Sequence, residues 1–327
     1  MDNERKRSCV KKSHVAVVCG GFSEEQNTSR ESGKHVEAAL RKLGHAVSVI
    51  EYDDHLISNL KAVSPDIVFP LVQGKHHGDG TVQALIELTG IPYVGARPHG
   101  AAVINHKTVC KRIWKSEGIL TPDYFEYSHR EYAKDSFSDF KDKVNAKGLS
   151  LPVVVKPLTQ GNRFGMVFVK DESSFGNIRD SFRYDEVLLV EAYVEGRFFA
   201  QGIVEIDGLM TAMPPVEIMD GSGDEFKMYP GGSAVRPHDL TREQVSELMK
   251  TTLAAASLTS AAGFARLDYH LSGGQFYLLE INAVPGLVPG YSSMNECAAA
   301  AGYGFVEFID LLLRSAIKTK GGAHEKP

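Results

Sequence analysis

The sequence predicts a parallel α/β domain that leads into an antiparallel α+β region of about 220 residues. Two observations predict it. Over roughly the first hundred residues, short apolar runs alternate with helix-periodic segments, the pattern of a parallel sheet with crossover helices. Beyond them, strand-like runs come in pairs joined by Gly-containing turns, as in hairpins.

The elements follow in order. After a polar lead, Val15-Ala16-Val17-Val18-Cys19 is a short apolar run ending in Gly20-Gly21, a buried parallel strand entering a loop. Segment 29–43 places Val36, Ala39, Leu40 and Leu43 at helical spacing, with Gly44 as a stop. Segments 46–50 and 66–71 read as strands, 81–88 as a helix ended by Gly90, and 91–94 as a further short strand. One helix is predicted over 101–117, ended near Gly118, and then a polar stretch over 128–150. Strands 153–156 and 166–170 form a hairpin, 173–182 is helical, and 187–191 and 198–206 are strands. Asp207-Gly208 turns the chain into strand 209–213. The Gly/Pro-rich segment 214–237 lacks a period and reads as a long loop. Thr241 with Gln244 forms a capping box for a helix reaching residue 262. Strands 264–271 and 275–281 flank Ser272-Gly273-Gly274, a last helix covers 295–314, and the tail from Lys318 reads as disordered.

Composition bounds the function. The chain is 43% hydrophobic and 24% charged, which is globular, and its length suits two or three domains with a core large enough to need no disulfides. A formal charge of −5 without a basic block argues against a nucleic-acid partner. The polar N-terminus lacks an apolar h-region and no run is long enough to span a bilayer, so a cytoplasmic protein with no membrane partner is expected. The four cysteines have no zinc spacing and read as reduced thiols.

Several constellations carry chemistry. Arg266 and Asp268 alternate on one strand, as do Glu280 and Asn282 on the next. If the strands pair through the Ser-Gly-Gly turn, two carboxylates, an amide and a guanidinium converge. Carboxylate and amide oxygens are the hard ligands magnesium prefers, with nucleotide phosphates completing its shell, and Arg266 could hold a phosphate or an oxyanion. The spacing alone also fits a charged exposed sheet face. The flanks favour a site, because Tyr277-Leu278-Leu279 is apolar and Ala283-Val284-Pro285-Gly286 is unlike a surface loop. Lys156 ends a run of three valines, where a charge at a strand end suits a phosphate. The loop 159–165 could cover that phosphate or be a plain turn. Lys107 alone reads as a solvated helix lysine. Gly20-Gly21-Phe22-Ser23-Glu24-Glu25 and Gly78-Asp79-Gly80 sit where α/β sheets bind ligands. The dinucleotide and P-loop glycine fingerprints are absent.

Taken together, these segments resemble the D-alanine–D-alanine ligase family of the ATP-grasp superfamily, over residues 15–313. The ordered motifs are GGFSEE at 20–25, HGDGTVQALIEL at 77–88, GIPYVGA at 90–96, LPVVVKP at 151–157, GFARLDY at 263–269 and FYLLEINAVPG at 276–286. The resemblance implies a parallel-sheet N-terminal α/β domain (1–104) followed by an ATP-grasp fold of two subdomains, a central ATP-lid domain (105–192) and a C-terminal domain (193–327). It implies ATP with Mg2+ (Mn2+ as the alternative ion), small amino-acid substrates, a dipeptide formed through an acyl phosphate, and a homodimer. Asp268, Glu280 and Asn282 fall on the metal ligands, and Lys107, Lys156 and Lys227 on phosphate-contacting lysines. Arg266 falls on the arginine that stabilises the oxyanion, Glu25 on the glutamate that holds the first ammonium, and Glu191 on the hinge glutamate that reads adenine.

Other positions depart from the family. Gln73 stands for a histidine, Gly161-Asn162-Arg163-Phe164-Gly165 for a Gly-Ser-Ser-Val-Gly loop, Lys227-Met228 for a Lys-Tyr pair, and Phe198 for a ribose-binding glutamate. After Gly286, Ser292 or Ser293 would meet the second substrate. Arg163 adds a charge in the lid loop. These clustered departures imply an active ligase with a substrate other than D-alanine. The rival readings are an ATP-grasp enzyme of another branch and a nucleotide-binding homologue without turnover.

Overall fold

A computed structural model describes residues 12–74, 78–219, 233–235 and 239–322. The N-terminal sheet is parallel, in the order β2-β1-β3, from β1 (His14–Cys19), β2 (Ala46–Glu51) and β3 (Ile67–Pro70). Helices α1 (Gln26–Lys42), α2 (Leu56–Val63) and α3 (Thr81–Glu87) provide its crossovers and cover. Strand β1 is buried from Val15 to Cys19, as a central parallel strand must be. The strand predicted over 91–94 reduces to one parallel bridge, Val68 to Tyr93.

The helix predicted over 101–117 is two helices, α4 (Pro98–Asn105) and α5 (Lys107–Ser116). His106 between them is extended (φ −98°, ψ 98°). The amide of Lys107 donates to the carbonyl of Leu158 instead of continuing the helix.

The central unit is an antiparallel sheet, β4-β7-β5-β6, of β4 (Tyr124–Ser128), β5 (Val153–Pro157), β6 (Val167–Val169) and β7 (Val187–Ala192). The polar stretch 128–150 holds two helices, α6 (His129–Tyr132) and α7 (Phe137–Ala146). Capping boxes start both, Ser128 with Glu131 and Ser136 with Asp139. Two short helices, α8 (Glu172–Gly176) and α9 (Ile178–Ser181), follow β6.

The C-terminal sheet is built on the long strand β8 (Arg197–Ile206). It pairs with β9 (Leu209–Ala212), β10 (Val216–Met219) and β12 (Phe264–Ser272), and β12 pairs with β13 (Gln275–Asn282). The expected loop over 214–237 therefore contains β10 and β11 (Ser233–Val235), which pair with each other. Helix α10 (Arg242–Leu258) starts on the predicted capping box. The last predicted helix is two, α11 (Ser293–Ala300) and α12 (Phe305–Gly322), separated at Gly302-Tyr303-Gly304. Helix α12 extends into the tail expected to be disordered, and residues 323–327 lie outside the described residues. Among the described residues, no helix is long and apolar enough to cross a membrane.

Candidate active site

One cavity of about 500 Å³ runs between the three units. Strands β12 and β13 build its floor. Their register sets Asp268 directly opposite Glu280, and Arg266 opposite Asn282. Like charges directly opposite repel, so this pair calls for a cation between them. Burial pushes the Asp268 carboxyl above its usual range, against the pull of Arg266. Burial would also raise Glu280, but Lys107, Lys156 and Arg266 together draw it down. Arg266 donates to both oxygens of Asp268, at 2.8 and 2.7 Å. Asn282 donates its Nδ2 to Asp268 at 3.2 Å, which leaves its amide oxygen available as a ligand. Among the described residues, no group of three or more His, Cys, Asp or Glu side chains forms a metal cage. Two carboxylates and one amide thus suit a hard divalent ion whose remaining ligands are phosphates and water.

The cations come from α5 and from the central sheet. Lys107, the first residue of α5, donates to the carbonyl of Gln160 at 2.6 Å and lies 3.7 Å from Glu280. The break at His106 places it there. Lys156 on β5 and Glu191 on β7 are diagonal cross-strand neighbours and form an ion pair. Glu191 also meets Lys111 of α5 at 2.9 Å. Burial alone would raise the Glu191 carboxyl, but Lys111 and Lys156 outweigh it and hold it at about 2. Lys111 is fully buried and donates to Thr121 Oγ1 at 2.7 Å, which in turn donates to the carbonyl of Leu278 on β13. Sequence reading missed Lys111, because its partner is far away in the chain and helical spacing gives no sign of it.

Glu25, just before α1, closes the third side. Its carboxylate accepts a hydrogen bond from Asn162 Nδ2 at 2.8 Å. A Cβ on Gly161 would come within 2.5 Å of Glu25 Oε1, so a larger residue there would displace the Glu25 carboxylate. Asn162 and Arg163 both adopt positive φ (46° and 59°), a turn that asparagine tolerates well. The departures in this loop therefore do not remove its link to Glu25; Asn162 supplies it. Burial pushes the Glu25 carboxyl up to about 7, opposed by Lys107 and supported by Glu280.

Gln73, Arg163, Ser292 and Ser293 all line the cavity. Gln73 donates to the carbonyl of Val284 at 2.8 Å, and Ser292 donates to that of Gly286. Glu25, Lys107, Lys156, Glu191, Arg266, Asp268, Glu280 and Asn282 line the cavity as well, whereas Lys227 and Met228 lie outside the described residues.

Solved structures similar to this fold are ligases. The D-alanine–D-alanine ligase of Bacillus anthracis complexed with ATP superposes with a TM-score of 0.78 at 26% identity, over 95% of this chain and 99% of that one. The enzyme from Coxiella burnetii, at 24% identity and the same TM-score, shares the fold. A parallel domain with two antiparallel units around such a cavity defines an ATP-grasp ligase, an ATP-dependent enzyme that forms a peptide bond. Residues 113–314 match the family model described as D-ala D-ala ligase C-terminus. The D-alanine–D-alanine ligase of Moorella thermoacetica is 32% identical over 313 residues, 93% of this chain and 99% of that one. That of Aquifex aeolicus is 33% identical over 305 residues, 91% of this chain and 99% of that one. The chain belongs to the D-alanine–D-alanine ligase family. This membership does not favour the substrate other than D-alanine expected from the departures, nor an ATP-grasp enzyme of another branch, nor a homologue without turnover.

Proposed function

We propose that this enzyme joins two molecules of D-alanine, with the cavity residues dividing the work as follows. The observation that carries the reading is the directly opposed pair Asp268 and Glu280, sharing one cavity with Lys107, Lys156, Arg266 and Glu25. Asp268, Glu280 and Asn282 would hold Mg2+, which when bound neutralises phosphate charge. Lys107 and Lys156 bind the ATP phosphates, Lys227 adds a third contact, and Glu191 meets the base. Glu25 captures the ammonium of the first amino acid and sets its carboxylate toward the γ-phosphate. That carboxylate oxygen bonds to phosphorus as the bond to the ADP oxygen breaks, giving an acyl phosphate and ADP. The amine of the second amino acid then attacks the acyl carbon. Arg266 stabilises the oxyanion, and phosphate leaves with the C–O bond electrons as the amine loses a proton. Ser292 and Ser293 face the second substrate.

Catalysis here is positioning and charge neutralisation, and no enzyme-bound covalent intermediate is needed. The separate core of the central sheet supports a unit of its own there, and the family resemblance supports boundaries at 1–104, 105–192 and 193–327. Family resemblance supports a homodimer through the N-terminal domain, a cytoplasmic location and a product used in peptidoglycan. Incubating the purified chain with ATP, Mg2+ and D-alanine tests the reading. ADP release together with D-alanyl-D-alanine in the mass spectrum is expected. ADP release that depends on another amino acid, without that dipeptide, would replace D-alanine as the substrate.

A further inference from the structure

His270 lines the cavity, yet the reaction above leaves it unused. It follows Arg266 and Asp268 at every second position of β12, so the three share one face, with His270 about 7 Å along the strand from Asp268. Its Nδ1 lies 2.6 Å from the carbonyl oxygen of Val194. A carbonyl oxygen only accepts, so Nδ1 carries the hydrogen, and Nε2 of the neutral ring is left as an acceptor. The ring stands edge-on to Phe198, its register partner on β8, at 5.5 Å and 83°. Phe168, Tyr193, Val194 and Leu279 line the same cavity and offer apolar walls suited to a base.

A triphosphate held at Lys107, Lys156 and Asp268 would extend its nucleoside along this strand. The ribose then brings hydroxyl donors to a wall with few side-chain acceptors among the described residues. Glu191 is held by two lysines, and the other cavity carboxylates are Glu25, Asp268 and Glu280. We propose that His270 is the ribose-recognising residue of this enzyme, its Nε2 accepting a hydrogen bond from a ribose hydroxyl of the nucleotide. The inference rests on the nucleotide placement proposed above.

Calorimetric titration tests it, using ATP, 2′-deoxyATP and 3′-deoxyATP, each with Mg2+, on the wild-type enzyme and on His270→Phe. Wild type should bind one of the two deoxynucleotides about five- to tenfold more weakly than ATP, the worth of one hydrogen bond. His270→Phe should bind all three alike, at the weakened level. Equal binding of all three by wild type, or discrimination retained in His270→Phe, overturns the proposal. The wild-type comparison needs no variant, and His270→Met serves if the phenylalanine protein misfolds. Lys156→Met separates the two readings. If it binds ATP as tightly as wild type, the nucleotide placement fails and this proposal with it. If it loses ATP while wild type shows no discrimination, only the role of His270 fails.

Discussion

At neutral pH Glu25 stands between two protonation states, because burial raises its carboxyl from 4.5 to about 7. Its folded-state value lies above the unfolded one, so the native state binds this proton more tightly. Stability from that preference is full below pH 4.5 and is lost as pH rises through 7. Capture of an ammonium needs the opposite form, the carboxylate. The KM for the first amino acid should therefore fall as pH rises from 6 to 8, measured by ADP release at saturating ATP. Glu25→Gln should gain about 1–3 kcal/mol of stability at pH 8 in urea titration while losing amine capture. Asn162 fixes the rotamer of this carboxylate. Asn162→Ala should raise the same KM about fivefold, the cost of one hydrogen bond. Asn162→Asp should raise it further, by setting a second negative charge beside the first. Sequence marked the loop as altered but could not show that its asparagine reaches Glu25, since the contact joins residues 137 positions apart.

At the scale of elements, what could be read in the sequence was local. The capping box of α10, the turn at Asp207-Gly208 and the β12–β13 hairpin all rest on neighbouring residues, and all three formed as read. The boxes of α6 and α7 were equally local, yet the polar stretch hid them, because only Phe140 and Val144 of α7 are buried. The break at His106 had only a weak local sign, the poor helix formers Asn105 and His106, and it goes with the Lys107 amide bonding to a loop 51 positions away. The entrance of β12 depends on a long-range contact of the same kind. Gly263 has φ +69°, and a Cβ there would lie 2.5 Å from the Cα of Gly95 in the N-terminal unit. Neither backbone can yield cheaply. Gly263→Ala should cost at least about 3 kcal/mol, read as a fall in Tm, from left-handed strain plus the clash.

Across the whole molecule, the cores do not follow chain order. One cluster joins Val15, Val17 and Phe69 of the first sheet to Ala200 and Val204 of β8 and to Phe308, Ile309 and Leu312 of α12. Helix α12 packs on α1 and on both β3 and β8, so the C-terminal end of the chain covers the first sheet. The central unit has its own cluster, around Tyr127, Phe140, Val155 and Val190. The N- and C-terminal units should then unfold together and the central one apart. Phe140→Ala and Phe308→Ala remove comparable fully buried rings, each at a cost of about 3–5 kcal/mol. In hydrogen exchange, Phe140→Ala should speed exchange only across 125–190. Phe308→Ala should speed it in β1 and β8 alike, although those strands lie nearly 180 positions apart. If β1 keeps its protection in that variant, the first sheet stands alone and α12 is merely a cover. A central unit with its own core could open for a ligand while Arg266, Asp268 and Glu280 stay fixed on β12 and β13, which pack in a separate cluster.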